Sequence, residues 1–459
     1  MSWTPNLPFG EGPRYLQIVA ALENDITSGA VTPGQRLPTH REMAALLDIS
    51  VGTISKAYAA AERRGLIMGE VGRGTFVLPI SPELGVTDTS VTQAPRRANL
   101  ALNAPPQTGA DTVLAEAVSE VVSDDALTSL LSYLPHQGLY EHRAAMAGWL
   151  REHGVMAEPD RLFITHGAQH AIAIATLVLA RPGATVLVEN LTYSGIIALS
   201  QMQGYALRGV PMDRHGLVPE HLDRAFSETK AKVLYATPTL QTATASVMPV
   251  ERRREVAEVL RRHDAWLIED DAYGFLCDTP FPTLASYIPE RSFHVVTFAK
   301  CLVPGLRIGA MSAPPEFRDR IVGAIRSTGW MANAVMAAAV VRMIDNGALD
   351  DQVLRKRAAA AERLAIAYEI LGSQIASQRE IPAFHTWMKV PPGRTASELM
   401  SRAAQAGITI VPPSPMQAMD PMGPGFRLCL GGVERPAELR KALETLTTIL
   451  EETETMSIV

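Results

Sequence analysis

The chain has 459 residues, 47% hydrophobic and 20% charged, with a net charge of −6. That is the composition of a soluble protein with room for about three domains, and it excludes both a disordered chain and any global attraction to nucleic acid. The N-terminus lacks a basic and apolar leader, no apolar run is long enough to cross a bilayer, and Cys277, Cys301 and Cys429 show no metal or disulfide spacing, so a reduced, cytoplasmic protein without membrane association is expected.

Tyr15, Ile18, Val19, Leu22 and Ile26 recur at helical spacing and predict an amphipathic helix over 13–28. Thr39 with Glu42 three residues on is a capping box that opens a second helix, to about Leu47. Ser50 opens a third, with Ile54, Ala57, Tyr58 and Ala61 facing inward and Gly65 ending it. Residues 66–68 and 75–78 then flank the tip Gly72-Arg73-Gly74 as a two-stranded wing.

On the third helix, Gly52 and Lys56 lie opposite the apolar face, with Thr53 beside them. Glycine there admits a close approach to DNA, while Arg41 and Lys56 can neutralise phosphates. Arg73 at the wing tip can reach a minor groove. The first 80 residues carry seven basic and seven acidic side chains, so DNA binding must rest on local placement of charge.

Periodicity is lost over residues 81–97, which read as a linker that would span roughly 20–25 Å as a flexible coil. Strand and helix patterns then alternate to the end, predicting an α/β domain over 98–459 with a mostly parallel sheet. The strand candidates are 162–165, 185–189, 233–237, 266–268 and 293–298. From Thr386 onward a strand–helix–strand–helix pattern predicts a smaller lobe.

Several residues in this part carry chemistry. Lys300 follows the apolar strand 293–298, where lost solvation favours the neutral amine that attacks an aldehyde. Asp270 follows the strand 266–268, at the strand ends where open α/β sheets collect their ligands. Its neighbour Asp271 reads as a cap or a solvated loop residue. Gly167-Ala168-Gln169 stands between a strand and an apolar helix, a helix start suited to an anion. These are the parts of a pyridoxal 5'-phosphate site. Lys300 would attach the aldehyde as a Schiff base, Asp270 keep the ring nitrogen protonated, Tyr273 bond the ring hydroxyl, and Tyr193 stack on the ring.

Two resemblances follow from the motifs. LPTHREMAALLDIS, GTISKAYAAAERRGLI and GRGTFV resemble the GntR-type winged helix, which implies DNA contacts from Thr39, Arg41, Ser50, Thr53, Gly72 and Arg73. Val51 stands where that family commonly has Arg, which leaves a contact with a thymine methyl open. Residues 98 to about 455 resemble fold-type I aminotransferases, through Tyr133 to Gly138, Thr165 to Gln169, Glu189 to Gly195, Tyr235 to Met248, Glu269 to Tyr273, Thr297 to Gly309 and Phe426 to Leu428. Joined, the two resemble the MocR family of regulators.

That resemblance implies that Thr297, Arg307 and the Gly167–Gln169 turn hold the cofactor phosphate. It also implies that Tyr133 reaches the phosphate of a partner subunit in a homodimer, and that Arg427 clamps an amino-acid carboxylate. Thr242 stands where the family has the Asn that bonds the ring hydroxyl, and Ala299 where a Ser often precedes the lysine. Both departures weaken tuning of the cofactor and leave its attachment intact. The expectation is therefore a regulator that binds an operator duplex and senses an amine or amino-acid effector, or the cofactor itself. A working aminotransferase with a DNA-binding head is the alternative.

Overall fold

The computed structural model describes residues 3–5, 13–27, 31, 35–63, 66–70, 74–77, 98–279, 281–410 and 425–451. The linker at 81–97, together with Gly65, Gly72 and Arg73, lies outside these residues.

The N-terminal unit packs the helices Arg14–Thr27, His40–Leu47 and Val51–Arg63 on one another. Ile18, Val19, Leu22, Ile54, Ala57, Tyr58 and Ala61 are all buried in its core, as the helical spacing requires. The capping box forms: Thr39 Oγ1 accepts from the Glu42 N–H at 3.3 Å, and the Thr39 N–H donates to Glu42 Oε2 at 2.7 Å. The wing departs from the expected two strands. Ile67–Glu70 and Gly74–Val77 pair, and Arg36–Leu37 adds a third strand on the far side of Gly74–Val77. Two residues are too short to show alternation in a sequence.

Beyond the linker lies a seven-stranded sheet. Its spatial order is Leu162–Thr165, Gly309–Ser312, Ser292–Thr297, Trp266–Asp270, Val233–Ala236, Thr185–Glu189 and Ala206–Val210. Gly309–Ser312 runs antiparallel to both its neighbours, and the other pairings are parallel. Nearly every residue of the central strands is buried, which fits a sheet covered by helices on both faces. Three of the expected strands have shifted bounds, and Val233–Ala236 ends one residue early. Trp266–Asp270 extends two residues past its expected end, so Asp270 terminates the strand instead of following it. The lysine strand is Ser292–Thr297, one residue earlier than expected.

The smaller lobe pairs His385–Lys389 antiparallel with Gly425–Cys429. The helices Ala396–Gln405 and Pro436–Glu451 and the later half of Ala348–Leu371 build its core around Leu399, Phe426, Leu428, Leu439 and Leu446. Ala98–Asn99, the first described residues after the linker, pair parallel with Ile408–Thr409 of this lobe.

Candidate functional site

Six of the seven strands run the same way, so their C-terminal ends open on one edge of the sheet. Gly167 follows Leu162–Thr165, Tyr193 follows Thr185–Glu189, and Thr237 and Thr242 follow Val233–Ala236. Asp270 and Thr297 each end their strand, with Tyr273 and Lys300 three residues beyond them. Arg307 reaches the same edge because it precedes the one reversed strand. A cavity of about 290 Å³ results, lined among others by Ala168, Gln169, Tyr193, Thr242, Asp270, Tyr273, Thr297, Lys300, Arg307 and Arg427. Residues spread over 260 positions of chain are thus gathered by topology.

Asp270 is buried, and its Oδ2 accepts from Tyr235 Oη at 2.7 Å. Its Oδ1 is buried with no hydrogen-bond partner among the described residues. Burial raises the carboxyl to about 6, against the opposing pull of the Tyr235 hydroxyl. Lys300 Nζ donates to the main-chain oxygen of Asn103 and stands 5.7 Å from the centre of the Tyr273 ring. Burial also pushes the Tyr273 phenol well above its ordinary range. Because Asn103 Nδ2 donates to that phenol at 2.8 Å, the hydroxyl keeps its own proton to give into the cavity.

The helix Ala168–Leu179 begins at the cavity, with Gly167 as its N-cap at φ 76°. A Cβ at Gly167 would meet Arg307 Nη2 at 3.1 Å, so glycine serves both the left-handed backbone and the close approach of the guanidinium. Arg307 Nη2 donates to the His166 carbonyl at 3.0 Å, which holds a cation beside the free N–H groups of the helix start. Arg427 is buried on the strand Gly425–Cys429 and donates to the carbonyls of Thr242 and Ala101, each at 3.3 Å. Tyr133 does not line this cavity. It is 87% exposed and packs on Trp330 with ring centres 5.5 Å apart.

Asp271 differs from its expected role as a solvated loop residue. Its side chain is buried and its Oδ2 lies 3.4 Å from His294 Nε2. The residues that sequence reasoning misses are Tyr235, Asn103 and His385. Asn103 Nδ2 also donates to His385 Nδ1 at 3.3 Å, and His385 Nε2 donates to the Gln241 carbonyl at 2.9 Å. Burial, with Arg427 and Lys300 as cationic neighbours, lowers His385 to about 3, consistent with a neutral ring that accepts at one nitrogen and donates at the other. No motif marks Asn103 or His385, which lie 282 positions apart, and Tyr235 opens the Tyr235 to Met248 motif without a role that the sequence assigns to it.

In the N-terminal unit Thr39, Arg41, Ser50, Gly52 and Lys56 are exposed and Thr53 is half-buried. Ser50 and Thr53 bond each other through their hydroxyls at 2.9 Å, and Ser50 Oγ accepts from the Thr53 N–H at 3.1 Å. Both Thr39 and Ser50 therefore already serve as helix caps. Gly72 and Arg73 lie outside the described residues.

The donor set fits an aldehyde cofactor with a protonated ring nitrogen and a phosphate. An orphaned buried carboxylate oxygen, a lysine and a helix start with an adjacent guanidinium all face one cavity. Residues 95–446 match the family of aminotransferases class I and II. The chain belongs to that family. Residues 14–77 match the gntR family of bacterial regulatory proteins, so a helix-turn-helix head of the DNA-binding kind precedes the aminotransferase lobe.

The chain is 28% identical over 420 residues to the uncharacterized HTH-type transcriptional regulator YdeF of Bacillus subtilis, covering 89% of this chain and 88% of that one. It is also 28% identical over 366 residues to the HTH-type pyridoxine biosynthesis transcriptional regulator PdxR of Corynebacterium glutamicum, covering 78% of each. Among solved structures, the aminotransferase lobe is similar to an archaeal alanine:glyoxylate aminotransferase, with a TM-score of 0.73 and 22% identity over 78% of this chain and 92% of that one. That likeness shows the fold. Pyridoxal 5'-phosphate is the cofactor implied by the family, and the residues present fit it. Among the described residues no helix is long and apolar enough to cross a membrane.

Proposed function

We propose that this protein is a MocR-type transcriptional regulator, residues 1–80 forming its DNA-binding head, 81–97 the linker, and 98–459 a sensing and dimerising lobe. The observation that carries the reading is the presence, in one chain, of a GntR-type head and a cavity that keeps Lys300, Asp270 and Arg427 together. When bound, pyridoxal 5'-phosphate supplies an aldehyde that takes up an amine reversibly.

Lys300 is the attachment point. Asp270, braced by Tyr235, presents its free oxygen to the ring nitrogen, and Tyr273 donates to the ring hydroxyl. Tyr193 covers the ring, and Thr242 borders it with one hydroxyl where an amide would offer two donors. Gly167, Ala168, Gln169, Thr297 and Arg307 hold the phosphate, joined by the Tyr133 of a second subunit. That role agrees with the exposure of Tyr133 in a single chain. Arg427 receives the carboxylate of an amino-acid effector, where a planar guanidinium gives a bidentate contact.

On the head, Thr39, Arg41, Ser50, Gly52, Thr53, Lys56, Gly72 and Arg73 face the duplex. Two heads in a homodimer would read two half-sites spaced by the helical repeat. The C. glutamicum relative is named as a regulator of pyridoxine biosynthesis, which supports the cofactor itself as effector, and Arg427 supports an amino acid. A second reading, a working aminotransferase with a DNA-binding head, is favoured by Arg427 remaining in the cavity.

The test is direct. Purified protein should take up the cofactor with a borohydride-fixable absorbance that Lys300→Ala abolishes, and should footprint DNA near its own gene. Failure to take up cofactor would sink the sensing role. Multiple turnovers with an amino acid and a keto acid above about 1 per second would favour the enzyme.

A further inference from the structure

The first described residues after the linker touch both groups that a ligand would engage. Asn103 accepts the Lys300 ammonium at its main-chain oxygen. Two residues earlier, the Ala101 carbonyl accepts from Arg427 Nη2 at 3.3 Å and from Cys429 Sγ at 3.2 Å. The segment is otherwise stitched to the smaller lobe. The Leu100 N–H donates to the Thr409 carbonyl at 2.9 Å, and the Cys429 N–H to the Leu100 carbonyl at 2.8 Å. A Cβ at Gly431 would meet the Ala104 oxygen at 2.2 Å, so the segment lies hard against that lobe.

Asn103 adds its side chain to the same junction. It is 8% exposed and lines the cavity. Its amide braces Tyr273 of the larger lobe and His385 of the smaller, and its Oδ1 is buried with no hydrogen-bond partner among the described residues. One residue thus holds the lysine, braces the phenol beside it, ties the two lobes and keeps an acceptor free in the cavity.

We propose that residues 98–103 are the element that senses occupancy of the cavity and passes it toward the linker. The proposal rests on the regulator reading for its purpose and on these contacts for its mechanism. To condense with an aldehyde, Lys300 gives up a proton to solvent, its nitrogen forms a C=N bond and the aldehyde oxygen leaves as water, so the N–H groups that could donate to Asn103 are lost. A carboxylate at Arg427 competes with the Ala101 carbonyl for the guanidinium. Each event releases one tie on a stretch of six residues that continues directly into the linker.

The test is hydrogen exchange of peptides covering 98–104 in the full-length protein. Four samples are compared: the protein free of cofactor, the same loaded with pyridoxal 5'-phosphate, Lys300→Met and Arg427→Met. Loss of a hydrogen bond to a charged donor should speed exchange there by about tenfold. That increase is expected in Lys300→Met, in Arg427→Met and in the loaded wild type. Circular dichroism and melting confirm that each variant is folded, and the loaded wild type needs no substitution at all.

Equal exchange in all four samples, with cofactor uptake seen by absorbance, would overturn the proposal. Affinity for a duplex from the region upstream of its own gene is measured in parallel. A segment that responds while that affinity ignores the cofactor refutes the regulator reading and leaves the sensing element standing. An affinity that responds while the segment does not overturns the sensing element alone.

Discussion

Replacing Asp270 by Asn should move stability and cofactor affinity in opposite directions. The carboxyl ends the strand Trp266–Asp270 in a buried position, and burial raises it from an ordinary 3.8 to about 6. At roughly 1.4 kcal/mol per pH unit, ionising it in the folded protein costs about 3 kcal/mol. An acid raised in this way contributes its full stability below pH 3.8 and loses it as the pH rises through about 6.

The cofactor-free Asn variant should therefore melt higher than the wild type at pH 8, with the advantage roughly halved near pH 5 and gone below about pH 3.8. Asn keeps an acceptor for the Tyr235 hydroxyl, so the packing is preserved. Cofactor binding should weaken by roughly 10- to 150-fold at pH 8, the value of about 1.5–3 kcal/mol for a hydrogen bond to a charged group. Titration followed by absorbance, at several pH values, reads this directly. The cofactor phosphate also titrates near pH 6, but it does so in both proteins, so the difference between them isolates Asp270. An Asn variant that binds as tightly as the wild type, or that is less stable at pH 8, would refute the assigned role.

Thr39→Ala removes one half of the capping box and should cost the head about 1 kcal/mol, read as an earlier first transition in urea with the aminotransferase lobe unmoved. Arg41→Ala and Lys56→Ala should weaken binding to all duplexes alike and each reduce the salt slope by roughly 0.9. Unchanged slopes would mean that these exposed cations do not face DNA.

Much of this was legible because it is written in local patterns. The capping box at Thr39 and Glu42 is a spacing of three and reappears atom for atom. The strands Leu162–Thr165 and Thr185–Glu189 are apolar runs bounded by helix starts, and both match residue for residue. The short strand Arg36–Leu37 was not legible, because its pairing with Thr75 and Phe76 is set by the fold of the wing. Asp271 was misjudged for a related reason. Its position beside Asp270 says nothing of His294, which the neighbouring parallel strand delivers to it.

By itself the sequence determined the chemistry available to this protein. It placed a lysine, a carboxylate and a helix start each near the end of its own strand, and a capped helical head ahead of them, because propensity, capping and strand periodicity act within a few residues. Only the tertiary structure decided what those groups meet. The shared direction of the strands gathers their ends into one cavity, and the long-range contacts of Tyr235 with Asp270 and of Asn103 with Tyr273, His385 and Lys300 follow from that gathering. Such contacts depend on which strand lies next to which, and no local pattern encodes that neighbourhood.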